Sequence, residues 1–266
     1  MSDLVIASSE ADARAAGAVE EHHAQMAGAL ALKVEALSVA ARARSQSDAD
    51  GVRADMVAWC RSELVPHALA EETTMYAAAG RMVEARLLVE AMLAEHQFII
   101  GIVEELATAT DMVGAAALAR ALRALFEVHL AKENEQILPL LVASPTVSVA
   151  DLLGGMHELL GGGADHEHGH EHGTPEPAGH ACDCSEFDPA GYPELDARAI
   201  PHAIRHATIF GALDGVRPGK GLVLVAPHDP LPLLAQLERR EPGAFDVEYL
   251  ERGPEAWRLA LVRTVA

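Results

Sequence analysis

Two histidine–carboxylate pairs occur in the first half of the chain, and in each pair the carboxylate comes four residues after the histidine. The pairs are His67 with Glu71 and His129 with Glu133. Four residues are just over one helical turn, so each pair directs an imidazole nitrogen and a carboxylate oxygen from one helix face. These ligand types suit non-haem iron and related transition metals. The spacing therefore predicts two helix faces that contribute metal ligands.

Further histidines follow glutamates at two other places, where His96 comes after Glu95 and the His22-His23 pair comes after Glu21. Both His22 and His23 fall on acceptable apolar stripes of a helix, and the match to Glu95-His96 favours His23. With these residues the chain offers four histidines and two carboxylates. That number gives each of two irons two imidazoles and a share in the carboxylates, which makes a di-iron site the leading interpretation.

Long helices must position these residues. Residues 11–143 are rich in strong helix formers and contain prolines only at Pro66 and Pro139. Apolar spacing predicts four long helices, at 11–43, 51–79, 82–109 and 114–141. Short connections favour antiparallel neighbours, so the prediction is an all-α up-down four-helix bundle, with a short segment near 149–160 packed on one end.

The two histidine–carboxylate pairs fall on apolar, buried helix stripes, and this position favours metal binding over ordinary core packing. A charged glutamate beside a histidine inside a bundle costs free energy unless it is paired or coordinated. Glu72 and Glu135 lie off these stripes and are expected to face water or a neighbouring helix. Four apolar residues lie within about a turn of the ligands and are candidates for a wall that limits water, with core packing as the alternative; they are Met26, Met75, Ile99 and Phe126.

Composition narrows the classes of partner. The 266 residues carry a formal net charge of -20, from 40 acidic and 20 basic side chains. This charge disfavours phosphate backbones and anionic lipid, so we expect no nucleic-acid partner and no membrane. We also expect a cytoplasmic location, because the three cysteines form no disulfide framework and the start of the chain lacks the pattern of a signal peptide.

A Gly/His/Pro-rich stretch at 161–192 is predicted to be a flexible linker between a bundle at 1–160 and a small domain at 193–266. Its imidazoles and thiols form a second candidate metal site, which lacks a fixed framework and would bind weakly; a simple soluble spacer is the alternative. These candidate ligands are His166, His168, His170, His172, His180, Cys182 and Cys184.

The small domain is predicted to be an α+β sheet with element order β-α-β-α-β-β and two helices on one face. The predicted elements are a strand at 194–198, a helix at 203–213, a strand at 221–226, a helix at 230–240, and a hairpin of 245–251 and 256–265. Asp229, just before Pro230, is expected to cap the second helix.

The ordered series of six residues resembles the hemerythrin-like HHE cation-binding domains over roughly 10–145. The series is His23, His67, Glu71, His96, His129 and Glu133. The resemblance implies a four-helix bundle around a di-iron centre that the two glutamates bridge. His23 and His67 then bind one iron and His96 and His129 the other, or with the pairing exchanged. Open positions on the irons would admit dioxygen, peroxide or nitric oxide.

One departure from oxygen-carrying hemerythrins bears on function. Four residues after His96 the chain has Ile100 instead of a second histidine. The pattern is closer to HHE proteins of nitric oxide and oxygen response, iron sensing or iron–sulfur repair. The expected function is a sensor or stress-response factor, with a redox protein as a further partner. Metal storage or delivery, iron–sulfur cluster repair and a redox enzyme activity are the alternatives.

Residues 193–264 resemble a bacterial domain of unknown function that accompanies HHE domains and looks like a relative of the TusA sulfur carriers. Such carriers need a cysteine just before the first helix. This chain has Pro201-His202 there and no cysteine after Cys184, so the resemblance does not extend to persulfide transfer. Candidate pocket groups of a regulatory or electron-partner docking module are Arg198, His206 and His228, with His202, Arg205 and Asp229 nearby.

Overall fold

The N-terminal half is a helical bundle in a computed structural model that describes residues 7–159, 191–200 and 204–265. Helix α1 is one uninterrupted rod, whereas the second and fourth rods each contain a π-helical turn. The helices are α1 Glu10–Arg42, α2 Gln46–Trp59, α3 Val65–Thr73, α4 Met75–Ala79, α5 Arg86–Thr108, α6 Met112–Lys132, α7 Leu138–Ala143 and α8 Val149–Leu159. The π-helical turns are π1 Cys60–Leu64 and π2 Glu133–Ile137.

The rods pack in a ring, with α1 against α2 and α6, and with α5 against the same two helices. This arrangement confirms the predicted helical bundle. Side chains cap four of the described α-helix starts: Ser9 accepts from Asp12 N–H, Ser45 from Asp48 N–H, Asp111 from Gly114 N–H and Ser148 from Asp151 N–H. The cap at Ser45 also corrects a boundary, because α2 begins at Gln46 and the predicted start at 51 was wrong.

The two prolines explain the two π-helical turns. A proline ring clashes with the carbonyl four residues earlier in a regular α-helix. For Pro66 and Pro139 those carbonyls belong to Ser62 and Glu135, which lie inside π1 and π2. The wider turn carries the chain past each clash, and Val65 N–H donates to Cys60 O five residues earlier. The second and fourth rods therefore each contain one wider turn next to the predicted ligands.

The C-terminal domain is a four-stranded sheet with strand order β1-β2-β4-β3, in which β1 and β2 are parallel and the other pairs are antiparallel. Its elements are β1 Glu194–Asp196, α9 Arg205–Asp214, β2 Gly221–Ala226, α10 Leu231–Arg240, β3 Phe245–Arg252 and β4 Trp257–Arg263. This order confirms the predicted β-α-β-α-β-β arrangement. Strand β1 is shorter than predicted, because a 3₁₀ turn at Ala197–Ala199 follows it directly.

The prediction that Asp229 caps the second helix of this domain was wrong. Helix α10 has Pro230 at its N-cap position and no side-chain cap. The Asp229 carboxylate accepts a 2.8 Å hydrogen bond from the hydroxyl of Tyr249 on β3 instead. The carboxylate is thus drawn toward the sheet and away from the amides of the helix start.

The two domains pack directly through α1 and α9, a contact that no sequence pattern predicted. A Cβ atom at Gly28 would lie 1.9 Å from the carbonyl oxygen of Thr208, and one at Gly211 would lie 2.1 Å from that of Gln25. Only glycine permits this backbone approach. Leu32 of α1 also belongs to the apolar cluster of the C-terminal domain. One face of α1 therefore packs against the second domain.

Helix α1 is the one described helix that is long and apolar enough to cross a membrane. Its most apolar 18-residue window has a mean hydropathy of 1.2, and 56% of that window is buried inside the protein. A core helix of a bundle passes the same test. The packing of α1 against α2, α6 and α9 is that of a core helix.

Candidate metal centre

The six residues predicted as ligands are brought together inside the bundle. All six side chains are buried, with at most 3% of each residue exposed. They lie between two apolar clusters, one containing Met26, Ile99 and Phe126 and the other containing Met75. The polar groups therefore form a single island within the apolar core.

One half of the island lies between α1 and α3, and we call it the α1–α3 half. His23 Nε2 is 3.2 Å from Glu71 Oε1, and His67 Nε2 is 3.0 Å from the same oxygen. The alternative ligand His22 is exposed, and its ring centroid lies 4.9 Å from that of His67. The geometry thus places His23, not His22, beside the carboxylate.

The other half lies between α5 and α6, and we call it the α5–α6 half. His96 Nε2 and His129 Nε2 are 3.0 Å apart, and His129 Nε2 is 3.5 Å from Glu133 Oε1. The two Nε2 atoms therefore converge on one point, as two imidazole ligands of a single metal ion would. Glu71, His96, His129 and Glu133 have ligand atoms within 4.8 Å of one another, as do His23, His67 and Glu71.

Both carboxylates face both halves. Glu71 directs Oε1 to the α1–α3 half, while its Oε2 lies 3.7 Å from His96 Nε2. Glu133 directs Oε1 to His129, while its Oε2 lies 3.9 Å from His23 Nε2. Each glutamate therefore spans the two histidine pairs with its two oxygens.

The cluster fits metal ions in two respects. Ligand atoms about 2.1 Å from one ion and at right angles are about 3.0 Å apart, which matches the shortest separations here. In addition, no well-directed hydrogen bond reaches the buried His67 Nε2 or Glu133 Oε2 among the described residues, although His67 Nε2 lies 3.0 Å from Glu71 Oε1. Such unsatisfied buried atoms are rare and costly, and coordination would satisfy them.

In the metal-free protein, the charges within the cluster favour a protonated His23 and an ionised Glu71. Burial alone would lower the pKa of His23, but the hydrogen bond to Glu71 and the charges of Glu133 and Glu71 outweigh it and raise the pKa to about 9. Burial would raise the pKa of Glu71, yet the charge of His67 and the hydrogen bond from His23 bring it well below its usual range. Metal ions must therefore displace protons from this site.

Three of the four imidazoles have a partner on their outer nitrogen. His23 Nδ1 lies 2.7 Å from Asn134 Oδ1, His96 Nδ1 lies 2.9 Å from Glu72 Oε1, and His129 Nδ1 lies 3.0 Å from Glu95 Oε2. Such outer partners fix the orientation of a ligating imidazole. Glu72 reaches a neighbouring helix, as expected, whereas Asn134 and Glu95 had not been predicted to contact ligands. The repeated Glu-His motif is a sequence signal that could have identified Glu95.

Tyr76 is a further residue of the centre that sequence reasoning missed. Its buried hydroxyl donates a hydrogen bond to Glu133 Oε1 and lies 3.1 Å from His129 Nε2. Desolvation and the charges of Glu133 and Glu71 raise the pKa of Tyr76 far above its ordinary value, so the hydroxyl keeps its proton. No sequence signal predicted the contact of Tyr76 with Glu133. Continuous helical spacing places Met75, not Tyr76, next to Glu71.

The other candidate residues that the structure describes lie apart from the centre. The histidines and cysteines of the 161–192 stretch, and His202, fall outside the described residues. His206 and His228 line a cavity of about 50 Å³ with Arg205, whereas Arg198 is not among its lining residues. Arg198 forms an ion pair with Asp196 at 2.7 Å. Cys60 is buried, and desolvation raises the pKa of its thiol to about 12.

Comparison with protein families agrees with this architecture. Residues 14–141 match the family model of the hemerythrin HHE cation binding domain. Residues 194–263 match an uncharacterized conserved protein family, DUF2249. The chain therefore carries a hemerythrin HHE domain followed by a DUF2249 domain. Neither a curated protein nor a solved structure matches the chain.

Proposed function

We propose that this chain is a non-haem di-iron protein that binds or reduces dioxygen, peroxide or nitric oxide as a sensor or stress-response factor. The observation that carries the proposal is the arrangement of Glu71 and Glu133, whose paired oxygens face different histidine pairs. Two imidazoles and a share in two bridging carboxylates for each ion match the ligand preference of non-haem iron.

A bound pair of ferrous ions supplies electrons and open coordination positions for a diatomic ligand. The protein's own residues supply the setting. Met26, Met75, Ile99 and Phe126 are each at most 5% exposed and belong to the two apolar clusters described above, so they would limit the access of water to the centre. Tyr76 places a proton beside Glu133 and His129 at the α5–α6 half.

We also propose that the DUF2249 domain reports the state of the centre to a regulatory or redox protein partner in the cytoplasm. Its support is the direct packing of α9 on α1, the helix that carries His23. Gly28, where the two backbones meet, is five residues from His23. A shift of α1 at the centre would therefore reach the second domain without a linker.

The test is anaerobic addition of nitric oxide to the reduced, iron-loaded full chain. We expect new absorption bands at stoichiometric nitric oxide, and their loss in Glu71→Ala and Glu133→Ala. Glu135→Ala is the matched control, because this carboxylate near Glu133 is exposed and forms no hydrogen bond or ion pair with a ligand residue in the described part of the chain. Iron-loaded wild type without any spectral change toward nitric oxide, dioxygen or peroxide would contradict the proposal.

A metal-handling protein is the competing function that the histidine-rich tract favours. In that case deletion of residues 165–184 abolishes metal uptake. The di-iron proposal expects this deletion to leave the iron content of the bundle nearly unchanged, because all six buried ligand residues lie outside the deleted segment. Iron analysis of the two proteins after identical loading distinguishes the functions.

A further inference from the structure

The two halves of the centre differ in what stands behind their imidazoles. In the α5–α6 half, both outer nitrogens contact carboxylates, those of Glu72 and Glu95. In the α1–α3 half, His23 contacts the neutral amide of Asn134. The outer nitrogen of His67 is buried and has no hydrogen-bond partner among the described residues.

Charge is the important difference. A carboxylate that accepts the outer N–H makes the imidazole a stronger ligand, and its negative charge stabilises a nearby cation. Lys132 forms an ion pair with Glu95 and offsets part of that charge. No lysine or arginine of the described residues pairs with Glu72, which contacts His96 from a largely buried position. Glu72 therefore supplies the uncompensated charge, and Asn134 supplies none.

We infer that the two halves bind metal unequally: the α5–α6 half takes the first and more tightly bound ion, and it keeps the ion of higher charge when the two differ in oxidation state. This inference rests on the two-metal centre proposed above. The shared carboxylates Glu71 and Glu133 contribute to both halves, so they do not remove the difference.

The experiment is an anaerobic titration of the metal-free full chain with ferrous iron against a competing chelator. Wild type should bind two irons in two resolved steps. Glu72→Gln keeps an acceptor for His96 but removes the negative charge, so it should weaken the first step by about tenfold, the lower end of the usual effect of changing an outer partner, and bring the steps together. Asn134→Asp should also bring them together, by strengthening the second step. Glu135→Gln is the matched control and should change neither.

The opposite assignment gives the opposite result, because Glu72→Gln would then weaken the second step and separate the two further. Two equal steps in wild type, or a wider separation in Glu72→Gln, would overturn the inference while leaving a two-iron centre intact. A wild-type chain that binds no iron contradicts the proposed function itself. If Glu72→Gln fails to fold by circular dichroism, Asn134→Asp decides, since a wider separation there overturns the inference equally.

Discussion

The hydroxyl of Tyr76 in α4 donates a hydrogen bond to the carboxylate of Glu133 at the start of π2. Both residues are buried, and the same hydroxyl lies 3.1 Å from His129 Nε2. The phenol thus orients one of the two carboxylates that span the centre. A hydrogen bond to a buried carboxylate contributes more than one between neutral groups.

Tyr76→Phe should lower the unfolding free energy of the metal-free protein by about 1.5–3 kcal/mol, because it leaves an oxygen of Glu133 buried without its donor. Tyr249→Phe is the matched control, since that hydroxyl donates to Asp229 near the surface, where water can replace it. Urea unfolding of both variants measures the difference. Equal losses in the two variants would show that the Tyr76 hydroxyl has no special role.

The metal-free protein should lose stability as pH rises. His23 has a pKa of about 9 in the folded chain against 6.5 for an ordinary histidine, so its contribution is complete below about pH 6.5 and disappears as pH rises through 9. The loss should be on the order of 3 kcal/mol. Urea unfolding at about pH 6 and pH 9.5 tests this dependence.

His23→Gln is the control for the pH experiment and should flatten this dependence. Iron-loaded protein should show the reverse trend, because fewer protons compete for the ligands at high pH. Metal-free wild type that gains stability over the same range would contradict the ion pairing of His23 with Glu71 and Glu133.

Gly28→Ala should disrupt the packing of the two domains, because the added methyl group would lie 1.9 Å from Thr208 O. We expect a loss of about 1–3 kcal/mol from overpacking, together with faster hydrogen exchange in α9. Gly17→Ala on the same helix is the matched control, since nothing lies within 4 Å of its Cβ position. That variant should be neutral or slightly stabilising. Equal behaviour of the two variants would mean that α1 and α9 do not pack through Gly28.

Element order was predictable because it depends on local patterns. Strong helix formers and apolar spacing located the four rods, and the bounds of β2 at Gly221–Ala226 were predicted correctly. The predicted ligands share faces of helices, so the structure brings them together, although their binding of metal stays a prediction. The π-helical turns before Pro66 and Pro139 were not predicted, since the expected helices ran through both prolines without interruption.

Two features depend on geometry that periodicity does not record. Thr74 has a non-helical backbone, with φ -113 and ψ -86, and this break turns Tyr76 toward Glu133. Continuous helical spacing from Glu71 reaches Met75 instead. The contact between Gly28 and α9 joins segments far apart in the chain, and a single glycine inside a helix does not identify its partner.

The most direct test of the central claim is the iron content and Mössbauer spectrum of the full chain loaded with ⁵⁷Fe. The account predicts about two irons per chain in one magnetically coupled pair, reduced to less than one in Glu71→Ala and Glu133→Ala but not in Glu135→Ala. A folded chain that takes up no iron, or that binds a single uncoupled ion after full loading, would contradict it.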